Sequence, residues 1–147
     1  MDQIIFRPRD VDLARSPLRG QINDETFVLG AFNPGLTRLP NGNLLMLVRI
    51  AEALRNPVRS DHVAILRWSN GRFGIDRHSL EEIDTQDPRE LRVRGGLHRT
   101  IILTSISWLL PVELSADGSR IIATYYDRAI TPRAPGVAAM FTVSMSS

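Results

Sequence analysis

A pattern that occurs twice constrains the fold of this chain more than any other feature of its sequence. Asn33-Pro34 precedes an apolar run at residues 44–50, and Asp87-Pro88 precedes a second apolar run at residues 100–106. The two X-Pro dipeptides are 54 residues apart, and the Asn-Gly and Asp-Gly turns before the last strand of each block are 47 residues apart. A repeat of about this length is typical of modular β architectures, in which each block forms one structural unit.

Turn signals divide most of the chain into about eight short strands. Asn41-Gly42 is a strong hairpin signal, as is Asn70-Gly71 between two apolar segments, and residues 115–119 form a third turn. Pro17 and Pro57 interrupt the two stretches that could compete as helices. The sequence therefore predicts an all-β protein.

The repeat favours a β-propeller over other all-β folds. We expect an N-terminal arm at residues 1–27 and a partial propeller at residues 28–147, with blade one at about 28–76, blade two at about 86–127 and the start of a third blade at 136–147. Each block would supply four strands in two hairpins. A β-sandwich of about seven strands is the alternative, but it gives no reason for the two blocks to resemble each other.

Composition excludes several classes of function. The basic residues number 18 and all are arginine, yet the net charge is only +2 and the arginines alternate with acids, so we expect no nucleic-acid partner. There is no cysteine, and the three histidines lack metal-ligand spacing, so we expect no disulfide and no metal. We find neither a signal-peptide core nor an apolar run of roughly 18 residues, which predicts a cytoplasmic protein with no membrane partner.

Three polar residues are candidates for a binding or catalytic site. In a propeller the first strand of each blade lines the central channel, so Asn33 and Asp87 would converge on one pocket. Arg49 ends an apolar strand, where a guanidinium must pair with a carboxylate or reach a ligand. Structural interpretations stay open: Asn33 capping a turn, Asp87 paired with Arg89, and Arg49 paired with Glu52 on the same face of a strand or turn.

Two further features have both a functional and a structural interpretation. Trp68 and Trp108 could stack on sugar rings, although the sequence favours interior packing for both. Asp61-His62 could act as an acid–base pair, although an aspartate at the start of a strand is commonplace.

These motifs together resemble glycoside hydrolase family 130. The resemblance rests on Phe32-Asn33-Pro34-Gly35, on the apolar strand that ends at Arg49, and on Asp87-Pro88-Arg89 with the later Ser-x-Asp-Gly turn, and it spans about residues 31–126. That family consists of β-mannoside phosphorylases and some β-mannosidases built as five-bladed propellers. The resemblance implies a carbohydrate-active enzyme that cleaves a β-mannoside with inorganic phosphate, inverting the anomeric carbon and releasing α-mannose 1-phosphate.

The resemblance also implies roles for the candidate residues. Asp87 looks like the general acid of the family, and Asn33 and Arg49 look like ligands of the sugar beside the scissile bond. The implied enzyme needs no cofactor, since phosphate is a co-substrate that arrives already anionic and requires no base. A general acid must hold its proton near neutral pH, so we expect burial and the neighbouring Asp84 to raise the pKa of Asp87.

The chain departs from the family pattern in length. A five-bladed propeller needs roughly 200 residues or more at this repeat length, and the phosphate-binding residues of the family lie mainly in later blades. We therefore expect either a partial chain of a β-mannoside phosphorylase or hydrolase, or a non-catalytic module that at most binds sugar. Open sheet edges would leave backbone donors and acceptors unpaired, which predicts a homo-oligomer.

Overall fold

The computed structural model describes residues 6–86, 90–94 and 101–132, which are almost entirely β-strand and turn. Three single-turn 3-10 helices lie at Pro8–Asp10, Leu13–Arg15 and Tyr126–Arg128. The strands of the described residues are β1 (Thr26–Arg38), β2 (Leu44–Leu54), β3 (Val63–Ser69), β4 (Arg72–His78), β5 (Ile83–Asp84), β6 (Glu90–Val93), β7 (Ile101–Leu103), β8 (Ser105–Leu114) and β9 (Ile121–Thr124). The all-β prediction is confirmed.

The largest sheet has the strand order β1-β2-β8-β9 and is antiparallel throughout. Because successive side chains alternate between the faces of a strand, β2 and β8 each present two different surfaces. Their even-numbered residues from position 46 on β2 and position 108 on β8 are buried, and we call this side the core face. The odd-numbered residues share the opposite side, which we call the outer face.

The β3–β4 hairpin packs as a middle layer. Ala64 and Leu66 join the cluster on the core face of the main sheet, whereas Val63 and Ile65 join a second cluster with Ile83 and Leu91 of the β5-β6-β7 sheet. Asn70 and Gly71 have φ values of 55° and 77°, the left-handed pair that a tight hairpin of this hand requires. The predicted Asn-Gly turn is thus confirmed.

Strand pairing differs from the grouping that the repeat suggests. β2 pairs with β8 over ten residue pairs, from Leu44↔Leu114 to Ala53↔Ser105, so the first half of one block joins the second half of the other. β2 spans 11 residues and β8 spans 10, so nearly every residue of β2 has a partner on β8. The described strands therefore do not form two separate four-stranded blades, and the propeller with its boundaries at 28–76, 86–127 and 136–147 stays a prediction.

The described part of the N-terminal segment, without regular strands, crosses the core face. Leu18 and Ile22 are buried in the main hydrophobic cluster. The backbone amide of Asp12 donates to the Tyr126 hydroxyl at 2.7 Å, which ties the arm to the far end of the sheet. Within the described part of the chain, no helix has the length and apolar character needed to cross a bilayer.

Candidate functional site

The hairpin of β1 and β2 places the backbone of Asn33 close to Arg49 in the strand register. Phe32 pairs with Arg49 and Gly35 pairs with Leu47, so Asn33 and Pro34 both oppose Val48 in a β-bulge. A proline fits this position because it has no N–H to contribute to the ladder. Bulges bend a strand and redirect its side chains, and they are frequent beside active sites. The Asn-Pro motif therefore corresponds to a β-bulge next to Arg49 in the strand register.

Arg49 lies on the outer face with most of its donors unused. Its Nε donates to Ser107 Oγ at 3.0 Å, and its Cζ lies 4.8 Å from the centre of the Phe32 ring. None of the described carboxylates lies within ion-pair distance of it, and its Nη1 and Nη2 groups donate to no described residue. Partial burial lowers the pKa of Arg49 from its usual value, although a guanidinium stays charged at any ordinary pH. Four of its five N–H donors are thus available to a ligand.

We call Phe32, Arg49 and Ser107 the Arg49 site, and the role of Asn33 beside it stays a prediction. The sequence did not point to Phe32 or Ser107 as functional residues. An aromatic residue directly before the Asn-Pro dipeptide was the available signal for Phe32, whose side chain is 37% exposed in the structure. Ser107 carried no local signal, because its approach to Arg49 depends on the pairing of β2 with β8.

Gly30 sets the position of the Phe32 ring. These residues are two apart on β1, and a Cβ added at Gly30 would lie 2.5 Å from Cε1 and 2.8 Å from Cδ1 of that ring. Real Cβ atoms do not approach so closely, so any larger residue would push the ring away. The absence of a side chain at Gly30 thus lets the ring lie over the strand and beneath the Arg49 guanidinium.

The predicted pair of Arg49 with Glu52 is wrong, because the two side chains lie on opposite faces of β2. Glu52 is fully buried on the core face. Its Oε1 accepts from Ser16 Oγ at 2.6 Å and from Trp108 Nε1 at 3.1 Å, and its Oε2 accepts from Thr26 Oγ1 at 2.5 Å. Arg19 Nη2 lies 3.4 Å from Oε2. This carboxylate holds the N-terminal arm against the sheet and faces away from the Arg49 site.

The tryptophans and the Asp61-His62 pair take structural positions. Trp108 is fully buried, which confirms interior packing, and Trp68 is partly buried in an edge-to-face contact with Phe73. Asp61 Oδ1 and His62 Nδ1 are 2.6 Å apart, and that hydrogen bond lowers the pKa of Asp61. A lowered carboxyl pKa is the opposite of what a general acid requires.

Asp87 lies outside the described residues, so its role as general acid stays a prediction, and so does the expected rise in its pKa. Its neighbour Asp84 belongs to β5, where it pairs with Arg92 of β6. Among the described residues, no group of histidines and acids is placed to hold a metal ion.

Comparison with known proteins relates this chain to one kind of enzyme. No family profile matches it. It is 33% identical over 103 residues to a β-1,2-mannobiose phosphorylase from Listeria innocua, an alignment that covers 66% of this chain and 28% of that protein. It also matches the structure of the Listeria innocua β-1,2-mannobiose phosphorylase in complex with β-1,2-mannobiose, with a TM-score of 0.55 and 29% identity, over 81% of this chain and 33% of the other. The chain thus spans about a third of the relative's length, and over that part it is homologous to a β-mannobiose phosphorylase.

Proposed function

We propose that this chain is a carbohydrate-active protein of the β-mannoside phosphorylase type and a member of glycoside hydrolase family 130. The observation that carries the proposal is its 33% identity over 103 residues with a β-1,2-mannobiose phosphorylase. In the proposed reaction an oxygen of inorganic phosphate bonds to the anomeric carbon of a β-mannoside as the glycosidic bond breaks. The products are α-mannose 1-phosphate and the released sugar.

The Arg49 site supports sugar binding in this proposal. Its guanidinium has unused donors and no described carboxylate within ion-pair distance, and a partly exposed aromatic ring lies beside it. Sugar sites combine such apolar ring surfaces with a few convergent polar groups. We assign Asn33 and Arg49 to binding of the mannose ring, with Phe32 and Ser107 as added contacts.

Asp87 is the proposed general acid. It would donate its proton to the glycosidic oxygen as that oxygen departs, so that the leaving sugar is released as a neutral alcohol. The attacking phosphate needs positive donors and no base, because it is already an anion. The proposed enzyme uses no cofactor and works in the cytoplasm, a setting that suits a chain without cysteine.

We also propose that the chain forms a homo-oligomer, because a partial propeller leaves edge strands that can pair with a second copy. Among the described strands, β1 and β9 are the two edges of the main sheet, and they expose Leu29, Leu36, Ile121 and Ile122. Exposed apolar edge strands are templates for pairing with another chain. Light scattering of the purified protein should give at least twice the mass of one chain, and a stable monomer would contradict this part of the proposal.

A second candidate function is a sugar-binding module without catalysis. It is supported by the Arg49 site, whose unused donors and partly exposed ring suit binding and require no catalytic group. A hydrolase of the same family, which would transfer the mannosyl group to water, is a further alternative.

One experiment separates these functions. The purified chain is incubated with mannobioses of defined linkage, with and without phosphate, and the products are analysed for mannose 1-phosphate and free mannose. Mannose 1-phosphate formed only with phosphate supports the phosphorylase, free mannose formed without phosphate supports the hydrolase, and binding without either product supports the module. In an active chain Asp87→Asn should abolish turnover, while Asp61→Asn should not. The absence of both binding and turnover with every linkage would overturn the proposal.

A further inference from the structure

We propose that the β3–β4 hairpin has a binding site for a phosphate group, which belongs either to inorganic phosphate or to a phosphate monoester. The site lies between Arg67 and Arg72, on the face of the hairpin that turns away from the main sheet. It is separate from the Arg49 site, and the inference goes beyond the proposed function and does not depend on it.

The strand register gathers polar side chains at the turn end of this hairpin. Arg67 is opposite Gly74, Ser69 is opposite Arg72, and Asp76 follows on β4. Because side chains alternate between the faces of a strand, these five residues share one face. The even-numbered residues of β3 pack against the main sheet, so this is the face that turns away from it. We call the five residues the Arg72 cradle.

A cavity of about 270 Å³ lies at the Arg72 cradle. Its lining consists of the five cradle residues together with Phe73 and Ile75. A Cβ added at Gly74 would meet no atom within 4 Å, so open space lies over this residue. Ligand pockets begin at roughly 300 Å³, and the cavity is therefore large enough for a small ligand only.

The cradle has more unused hydrogen-bond donors than acceptors. Arg72 is exposed, and its guanidinium donates to no other described residue. The Ser69 hydroxyl also has no partner among the described residues. Arg67 Nη1 donates to Asp76 Oδ2 at 2.6 Å, which leaves its Nε and Nη2 groups available. Such a set of donors suits a ligand that is rich in acceptor oxygens.

The charges of the cradle favour an anion. Two arginines and one aspartate give it a net charge of one positive unit. Arg67 and Arg72 are diagonal neighbours across the two strands, with Cβ atoms roughly 7–8 Å apart, a separation that two long side chains can close around one group. The planar fork of arginine matches phosphate oxygens in paired hydrogen bonds. A phosphate group between the two guanidiniums would accept from both.

The Arg72 cradle and the Arg49 site lie on opposite sides of two layers. Arg49 is on the outer face of the main sheet, the hairpin packs on the core face, and the cradle is on the far side of that hairpin. A small ligand at one site therefore cannot contact the other. Binding at the two sites can be measured independently.

The test is a titration of the purified, ¹⁵N-labelled chain with inorganic phosphate and, separately, with glycerol 3-phosphate, followed by the backbone amide resonances. The buffer contains about 0.15 M sodium chloride, which screens weak attraction between exposed charges. We expect saturable shifts at residues 67–76 with both probes. Equal affinities would identify the phosphate group alone as the ligand, and tighter binding of glycerol 3-phosphate would identify a monoester.

Two variants assign the binding to the cradle. Arg72→Gln should weaken phosphate binding about 10-fold, the effect of losing a hydrogen bond between charged groups. This side chain has no described partner, so the variant should fold normally. Gly74→Val should weaken binding at least as much, because its side chain would occupy the open space of the cavity. A β-branched residue is also well suited to a strand.

The matched control is Arg77→Gln. Arg77 is also an exposed arginine of β4, but it is opposite Ala64 and so lies on the other face of the hairpin. It should leave the phosphate affinity unchanged. The site is overturned if residues 67–76 show no saturable shift, if Arg72→Gln and Gly74→Val both bind as the wild type does, or if Arg77→Gln weakens binding equally, which would mean nonspecific attraction to arginine. None of these results would alter mannobiose binding or the proposed function.

Discussion

Glu52 and Arg49 lie three residues apart on β2, and the surroundings of the two charges are opposite. Glu52 points into the core, where both carboxylate oxygens accept hydrogen bonds from buried neighbours. Arg49 points outward, where one nitrogen is bonded and the others reach no described partner. A charge whose hydrogen-bonding capacity is used up inside the protein serves the fold. A charge with unused capacity beside an exposed ring is available to a ligand.

The largest effect that would test this comparison is on stability. Glu52→Ala should lower the free energy of unfolding by about 3 to 5 kcal/mol, because it leaves the donors of Ser16, Thr26 and Trp108 without an acceptor and Arg19 without its carboxylate. Urea denaturation followed by tryptophan fluorescence measures the change. Glu25→Ala removes an exposed carboxylate and should cost less than about 0.5 kcal/mol. Equal losses for the two variants would refute the structural role of Glu52.

The next effect concerns ligand binding. Arg49→Gln should weaken mannobiose binding about 10-fold, or about 1.4 kcal/mol, since it removes the unused guanidinium donors. Its unfolding free energy should fall by less than about 1 kcal/mol, because the side chain has a single hydrogen bond and no carboxylate partner among the described residues. Titration calorimetry and urea denaturation give the two values. If Arg49→Gln lost several kcal/mol of unfolding free energy and kept its mannobiose affinity, Arg49 would be a structural residue, as Glu52 is.

The sequence predicted the features that depend on neighbouring residues. Asn70-Gly71 specified its turn because few residues other than asparagine and glycine adopt the left-handed backbone that it needs. Arg49 stood out because a charge at the end of an apolar run requires an explanation. The face on which Glu52 lies was missed, although the alternation of side chains along a strand separates positions 49 and 52.

Features that depend on long-range pairing could not be predicted in this way. The contact between Arg49 and Ser107 needs β2 beside β8, and nothing near either residue specifies that partner. The repeat even favoured pairing within each block. Asp87 was singled out by its motif and by the family resemblance, and its position lies outside the described residues.

A smaller effect is expected at Gly30. Gly30→Ala should move the Phe32 ring, since the new Cβ would lie 2.5 Å from ring carbon Cε1. The Arg49 guanidinium would lose its support, and we expect mannobiose affinity to fall about threefold, or about 0.7 kcal/mol. Gly35→Ala is the matched control, because a Cβ at Gly35 meets no atom within 4 Å. An unchanged affinity for Gly30→Ala would show that the ring position does not matter to the site.

The smallest effect on stability is expected at Glu113. This residue lies on the outer face with Arg49, but its carboxylate oxygens accept hydrogen bonds from protein side chains, as those of Glu52 do. Its oxygens accept from Asn43 at 2.7 Å, Tyr125 at 2.6 Å and Asn41 at 3.3 Å, and these hydrogen bonds, that of Asn43 first, lower its pKa from the usual value of a glutamate. A lowered carboxyl pKa adds stability that is present above about pH 4.5 and is lost as the pH falls through the folded-state value. Wild-type stability should therefore decline on acidification in that range, and Glu113→Gln should lack this part of the decline when urea denaturation is repeated from pH 6 to 3. Because the carboxylate is already satisfied, mannobiose affinity at neutral pH should be unchanged in the variant. A loss of affinity there would mean that a saturated charge can also serve the ligand, and the distinction between Glu52 and Arg49 would no longer identify a site.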